Sequence, residues 1–341
     1  MRTHPWLGLP AVLSLSLSLT TGCGNGTSTA KDMGPTADMA APPKCEPDGK
    51  QIHLGKKYGI KVTLNVNVKV PSDCMADSCI LDKDTASQLL LLADVVQTDA
   101  QLTLQSTACR FQVPPVALKN QPQPTVLTAA DTLVQSVKVA PSMTALDGAM
   151  TCSGFKVSPF ALVIGAHLAN PGNDPVPVYS GAKNPPVTLC GGKASTDCDS
   201  AMDFGCICDL DKDGKAGATV GASGVPAFDD IDQVYLAIRT VVGLDATVWP
   251  EQQGQPTPGQ RWKGNVSGLK LDQSPVGCHH TPQGGGAPYD CTNLETNSVA
   301  QLNPRLSQSA NTGSTFVAMP VPDNETCSQL IADAPTLFKG Q

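Results

Sequence analysis

The chain reads as an all-β protein, an antiparallel sandwich or barrel that is rich in disulfides and carries an Asp-rich loop insertion. Three observations lead there. Charged residues make up 16% of the 341 positions, against roughly 25% in an average globular domain, and amphipathic helices draw on the Glu, Lys and Arg that are scarce here. With 31 Gly and 29 Pro, the chain has turn residues enough to separate many short strands. Residues 59–70 alternate without a break, Ile60, Val62, Leu64, Val66, Val68 and Val70 against Lys61, Thr63, Asn65, Asn67 and Lys69. That period of two marks a strand with one buried face and one wet face.

Residues 88–97 and 101–113, separated by Thr98, Asp99 and Ala100, read as a hairpin, although Leu89 to Leu92 equally suits the start of a short buried helix. The remaining strand candidates are 134–139, 151–157, 160–168, 233–248, 261–271 and 315–321. A weak internal repeat runs through two of them: residues 111–118 match residues 155–162 at five of eight positions, each copy preceded by a cysteine, Cys109 or Cys152. Two copies of a strand-and-corner unit explain the match, with Pro bending the chain out of the sheet and a Cys109 to Cys152 bridge as the covalent consequence.

Three parts follow in the order of the chain. Residues 1–22 have one Arg near the start, then an apolar run rich in Leu and Ser, and residues 19–23 read Leu-Thr-Thr-Gly-Cys. This resembles the lipobox of a bacterial lipoprotein signal, with Thr20 where the family prefers Leu. The resemblance implies that the segment is removed and that Cys23 becomes lipidated, giving an anchor of several acyl chains. Residues 23–50 are Gly, Thr, Ala, Asp and Pro with almost no large apolar side chain, the composition of a flexible tether. Gly24 is not the Asp that retains many such lipoproteins in the inner membrane, so the expected location is the outer membrane, on its periplasmic or surface face. Residues 51–341 are long enough to bury a core of their own.

Thirteen cysteines occur in all, and setting Cys23 aside leaves an even number, as expected of cystines in an exported chain. Cys74 with Cys79, Cys190 with Cys198, and Cys278 with Cys291 are spaced for local closure. No C-x-x-C pair argues for metal thiolates. The acidity comes almost wholly from Asp, since only four of the 30 acidic residues are Glu, and a net charge of −7 argues against a nucleic-acid partner.

The strongest chemical signal is Asp209, Asp211 and Asp213 followed by Gly214. Three carboxylates at alternate positions converge on one cation, and calcium takes six to eight oxygens arranged in this way. The run resembles the first half of EF-hand, dockerin and related extracellular calcium loops, which implies a backbone carbonyl ligand from Lys215. The twelfth position, where those families place an acid, is Val220. Residues 228–232 are similar to the end of a dockerin loop, which makes Asp232 the closing ligand and Asp229 a direct or water-mediated one. Residues 216–227 are then a Gly/Ala-rich insertion within an Asp loop spanning about 205–232, pinned by Cys206 and Cys208.

Weaker candidates are Cys278, His279, His280 and Cys291 as a zinc cluster, whose thiols are expected to pair with each other instead. Trp249 and Trp262 flank a Gln/Gly/Pro loop and would stack on carbohydrate if exposed, although burial is the commoner fate. Hydrolase elbows, zincin helices and phosphate loops are absent from the sequence. The whole chain looks like the cysteine-rich lipoproteins of Gram-negative bacteria. It reads as a calcium-stabilised, membrane-anchored binding or structural module for a protein or glycan, with a lipid-carrying barrel as the alternative and a secreted hydrolase third.

Overall fold

The computed structural model describes residues 54–68, 83–98, 101–112, 124–145, 154–181, 183, 186–225, 230–248, 260–302 and 313–340, all within one compact unit, Pro42–Gln341. Cys23, the tether and the strand-repeat cysteine Cys152 lie outside these residues, as do Trp249 and Asp229. Along the chain run β1 (Lys57–Val68), β2 (Lys83–Gln97), β3 (Gln101–Gln112), β4 (Val126–Thr128), α1 (Asp131–Ser136), β5 (Ser142–Ala145), β6 (Gly154–Ile164), β7 (Ala166–His167) and β8 (Cys206–Ile207). There follow β9 (Ala218–Ser223), β10 (Ile231–Val248), β11 (Trp262–His280), β12 (Tyr289–Asp290), α2 (Asn293–Leu302), β13 (Thr315–Pro320) and α3 (Cys327–Leu337).

The architecture is all-β and antiparallel, and its pairings close on themselves. From β11 the hydrogen-bonded neighbours run β13, β1, β2, β3, β4, β9 and β10, and β10 pairs again with β11. Closure of this kind removes the exposed edges that open sheets must protect. β5 extends the circuit beside β3 and β6 beside β10. Inside, Tyr58, Ile60, Val62 and Leu64 of β1, Leu89 and Leu91 of β2, and Leu236, Ile238 and Leu244 of β10 join one continuous buried cluster. Trp262 is 0% exposed at its centre of aromatic packing, edge-on to Tyr58 and Phe316 at 5.5 Å and tilted against Phe155 at 5.1 Å. The carbohydrate platform is thereby ruled out for Trp262, whose ring belongs to the core.

The run Leu89 to Leu92 is strand, not helix, and continuous because both faces of β2 are covered. Leu89 and Leu91 face the inner cluster, while Leu90 and Leu92 meet Leu330 and Phe338 on the α3 side of the sheet. A buried side chain of this size contributes about 1.5–3 kcal/mol, so a strand covered on both sides needs no polar alternation. The α3 helix starts with a reciprocal capping box between Thr326 and Gln329, and Cys109 bonds Cys327 across a separation of 218 residues. The expected Cys109 to Cys152 bridge is therefore not made.

Other expectations shift as well. Of residues 134–139, the first three end α1, which is held to β3 by a two-pronged Arg110–Asp131 pair at 2.9 and 2.7 Å, and Lys138 makes a single antiparallel bridge to Thr107. The two strands expected at 151–157 and 160–168 are largely one, β6, which continues through Pro159. Pro159 does not turn the chain out of the sheet, because it sits where the β6–β10 register slips between Val242 and Leu244, and a bulge is where a residue without N–H is tolerated. The Gly/Ala-rich stretch after Lys215 is not a free insertion: Ala218–Ser223 is β9, paired with both β4 and β10.

At Gly264 in β11 an added Cβ would lie 1.9 Å from the Asp245 carbonyl oxygen, a backbone atom that cannot move aside. Gly264→Ala should therefore force β10 and β11 apart and cost about 2–4 kcal/mol, read as a lowered urea midpoint; an unchanged midpoint would refute the close approach.

Candidate metal centre

Between β7 and β9 the chain makes little regular structure and packs on the outer face of the β10–β11 pair, where Ala166, Leu168, Val176, Val187 and Ile207 cover Tyr235, Ala237 and Val276. Two cystines hold this segment, Cys190–Cys206 and Cys198–Cys208. They bear out the expectation that Cys206 and Cys208 pin the Asp loop, and they replace the expected Cys190 to Cys198 closure. Backbone contacts complete the clamp: Asp209 N–H donates to Thr196 O at 2.8 Å, and Gly217 N–H donates to Cys208 O at 2.9 Å.

From this anchor the loop turns tightly, with Lys212 at φ 63° and Gly214 at φ 87°. Both lie in the left-handed region, which Gly occupies without cost and Lys does not. The Asp209 carboxylate organises the turn. It is 2% exposed and accepts from the backbone N–H groups of Lys212 at 2.7 Å, Asp213 at 3.2 Å and Gly214 at 2.8 Å. Asp213 accepts from the Lys215 N–H at 2.8 Å and from the Thr219 hydroxyl at 2.7 Å, and Asp211 accepts from the Thr219 N–H at 3.1 Å. One carboxylate oxygen from each of Asp209, Asp211 and Asp213 falls within 4.8 Å of the other two, so this group has the spacing to hold a metal ion. Burial, joined by the charge of Asp213, pushes the Asp211 carboxyl above its ordinary range.

The donor set fits a hard cation. All three ligands are carboxylates, and a carboxylate has about four lone-pair sites, so even Asp209, with three N–H partners, retains acceptor capacity. A cation would also offset the crowding of Asp211 against Asp213. Thr219, absent from the sequence candidates, is the hydrogen-bond partner common to Asp211 and Asp213, and no sequence signal marks it, because the Ala/Gly-rich stretch that carries it reads as loop.

The other sequence candidates go elsewhere. Val220, at the twelfth position, is buried in the inner cluster and supplies no side-chain oxygen. Asp232 does not join the three: Oδ1 meets His279 Nδ1 at 2.9 Å and Oδ2 accepts from the Thr281 hydroxyl at 2.9 Å. Burial raises its carboxyl, but these partners outweigh it and hold the group below the ordinary carboxylate range. The proposed partner of Asp232, Asp229, falls outside the described residues. The Lys215 ammonium pairs with Asp290, which also accepts from the Tyr235 hydroxyl at 2.7 Å. Burial, that hydrogen bond and the charges of Asp290, Asp213 and Asp232 raise the Tyr235 hydroxyl far above its usual value.

Cys278 and Cys291 form the expected cystine. They lie near His280 but offer no thiolate, so the zinc reading does not hold. His280 is instead a buried tie between elements, with Nδ1 2.9 Å from Asp230 Oδ1, Nε2 3.8 Å from Glu295, and its ring stacked on Tyr289 at 4.7 Å. Glu295 itself caps α2 through the N–H and hydroxyl of Thr292 at 2.7 and 2.9 Å.

Fold and site thus define a closed antiparallel β-domain with a cystine-clamped Asp loop on its outer face. Comparison with protein-family models, curated proteins and solved structures found no match.

Asp209→Ala should remove the buried acceptor shared by three backbone N–H groups of the turn and lower stability by about 1–3 kcal/mol, with or without divalent cation. Urea unfolding in chelator tests this, and a variant as stable as wild type would show that Asp209 does not build the loop.

Proposed function

We propose that this protein is an extracytoplasmic lipoprotein, attached to the outer membrane through lipidated Cys23, whose β-domain is stabilised by calcium and acts as a binding or structural module for a protein or glycan. The observation that carries this reading is the convergence of Asp209, Asp211 and Asp213 within 4.8 Å on a cystine-clamped loop. Calcium would be held by those three carboxylates and by the Lys215 carbonyl, with water completing the six to eight oxygens that the ion takes. When bound it supplies charge neutralisation and cross-links the loop; the chain's own contribution is to hold the carboxylates together against their repulsion.

The resemblance of residues 19–23 to a lipobox and the polar tether of residues 23–50 support the anchored location. Among the described residues no helix is long and apolar enough to cross a membrane, and that leaves attachment by acyl chains consistent with the fold. The choice of a module over a lipid carrier rests on the inner cluster: the inward side chains of β1, β2, β10, β11 and β13 contact one another as one core, whereas a carrier needs side chains that stand apart around its cargo. Cystines and a calcium tie also suit a rigid scaffold that presents loops.

Two measurements test the reading. Calcium in excess of its Kd should raise the Tm of wild type over that in chelator, the gain growing with the logarithm of ligand excess. Asp211→Asn should melt no lower than wild type in chelator, because like-charge crowding is relieved, and should lose the calcium gain. Equal wild-type melting with and without calcium would remove the metal from the account. Separately, the full chain expressed in a Gram-negative host should partition into detergent and incorporate labelled palmitate, and Cys23→Ser should abolish both; a palmitate-free wild type would sink the anchor.

A further inference from the structure

Four cysteines of the segment outside the barrel form a single buried cluster. Cys190, Cys206 and Cys208 are each at most 1% exposed and contact one another, and Cys198 packs against them while remaining partly exposed. The cause lies in the strand geometry. Successive side chains of a strand point to opposite faces; Ile207 packs inward against the β10–β11 face, so Cys206 and Cys208 on either side of it share the opposite face. Two cystines, Cys190–Cys206 and Cys198–Cys208, are thereby stacked in contact. The other described cystines, Cys109–Cys327 and Cys278–Cys291, have no second cystine in their clusters.

We propose that this cluster is a thiol–disulfide exchange centre, in which a small-molecule thiol entering at Cys198 makes the two cystines swap partners. An external thiolate attacks Cys198 Sγ, forming a mixed disulfide there and releasing the Cys208 thiolate. Enclosed beside the second cystine, that thiolate attacks Cys190 Sγ, forming Cys190–Cys208 and releasing the Cys206 thiolate. Cys206 then attacks Cys198 Sγ in the mixed disulfide, forming Cys198–Cys206 and returning the external thiolate. Two cystines enter and two leave, so nothing is oxidised or reduced overall and the small thiol is a catalyst. Attack at Cys206 instead would create Cys206–Cys208, but residues two apart on a strand lie roughly 6.6 Å apart, at the outer limit of cystine geometry. The swapped pairing is therefore the product. Because thiolate attack depends on access, the buried sulfurs take part only after Cys198 has opened.

The exchange gives the domain two covalently distinct settings of one loop, since Cys208 is bonded directly to Asp209 and its partner decides which side of the segment that loop is tied to. It does not depend on whether the Asp loop holds calcium.

The test is incubation of the folded, oxidised chain with reduced glutathione below its Tm, acid quenching and alkylation, then mass-spectrometric assignment of linkages with fragmentation between Cys206 and Cys208. Expected are Cys190–Cys208 and Cys198–Cys206 linkages, with Cys109–Cys327 and Cys278–Cys291 retained. The variant Cys190→Ser/Cys206→Ser should show only a glutathione adduct at Cys198. Retention of the native pairing in wild type, with or without an adduct at Cys198, would overturn the proposal. So would rearrangement spreading equally to Cys109 and Cys327, which would trace the exchange to unfolded chains. The wild-type result decides the question even if the variant fails to fold.

Discussion

The antiparallel ladder between β10 and β11 runs from Ile231 opposite His280 to Val248 opposite Trp262, and most of β10 is buried on both faces. Its inner side chains complete the barrel core, and its outer ones, Tyr235, Ala237 and Val276, are the floor on which the cystine-held segment rests. Strands of such length accumulate twist, and the register slips at three places along the pair, where bulges add to the local twist and bend the strands. The other edge of β10 is shared by β9 near its start and β6 farther along. Everything that positions the Asp loop is tied to this ladder: β9 leaves the loop on one side, and Ile207 is pressed against the ladder's outer face on the other.

The Asp loop shows how backbone polarity and like charge are balanced. The Asp209 carboxyl is buried where three backbone N–H groups converge on it, while Asp211 and Asp213 are exposed, share Thr219 as a donor and lie close to each other. Burial first, and the charge of Asp213 after it, displaces the Asp211 carboxyl upward, despite the hydrogen bond from the Thr219 N–H. The neighbouring acid Asp290 is settled differently: burial raises it, but Lys215 and the Tyr235 hydroxyl outweigh burial and hold it below the ordinary range. Local partners, not acidity as such, decide which carboxylates are available to an ion.

Much of the frame was legible in residue order. β1, the β2–β3 hairpin, β10 and β13 follow patterns of alternation or apolar runs, and Asp209, Asp211 and Asp213 declare themselves by spacing. The two longer helices carry sequence signals of their own, since Thr292 to Glu295 and Thr326 to Gln329 are capping boxes in a chain whose composition otherwise points to strand. The last nine residues of β11 carry no strand pattern, because Asp272, Ser274, Pro275 and Gly277 are poor strand formers, and they are held extended by the partner ladder. β9 reads as loop in the sequence because Ala and Gly have little strand propensity; its place is set by β4 and β10 on either side.

Sequence order alone determined the all-β, disulfide-rich class and the carboxylate trio, because each depends on composition or on neighbours within a few residues. Tertiary structure alone decided the closure of the sheet, the cystine partners and the fate of Asp232. Cys109 finds Cys327 across 218 residues, and Asp232 is drawn to His279 on an adjacent strand instead of to Asp209. Contacts of that range depend on which faces the strands present once paired, and a strand's register is specified by the burial of its whole face rather than by any short run of residues.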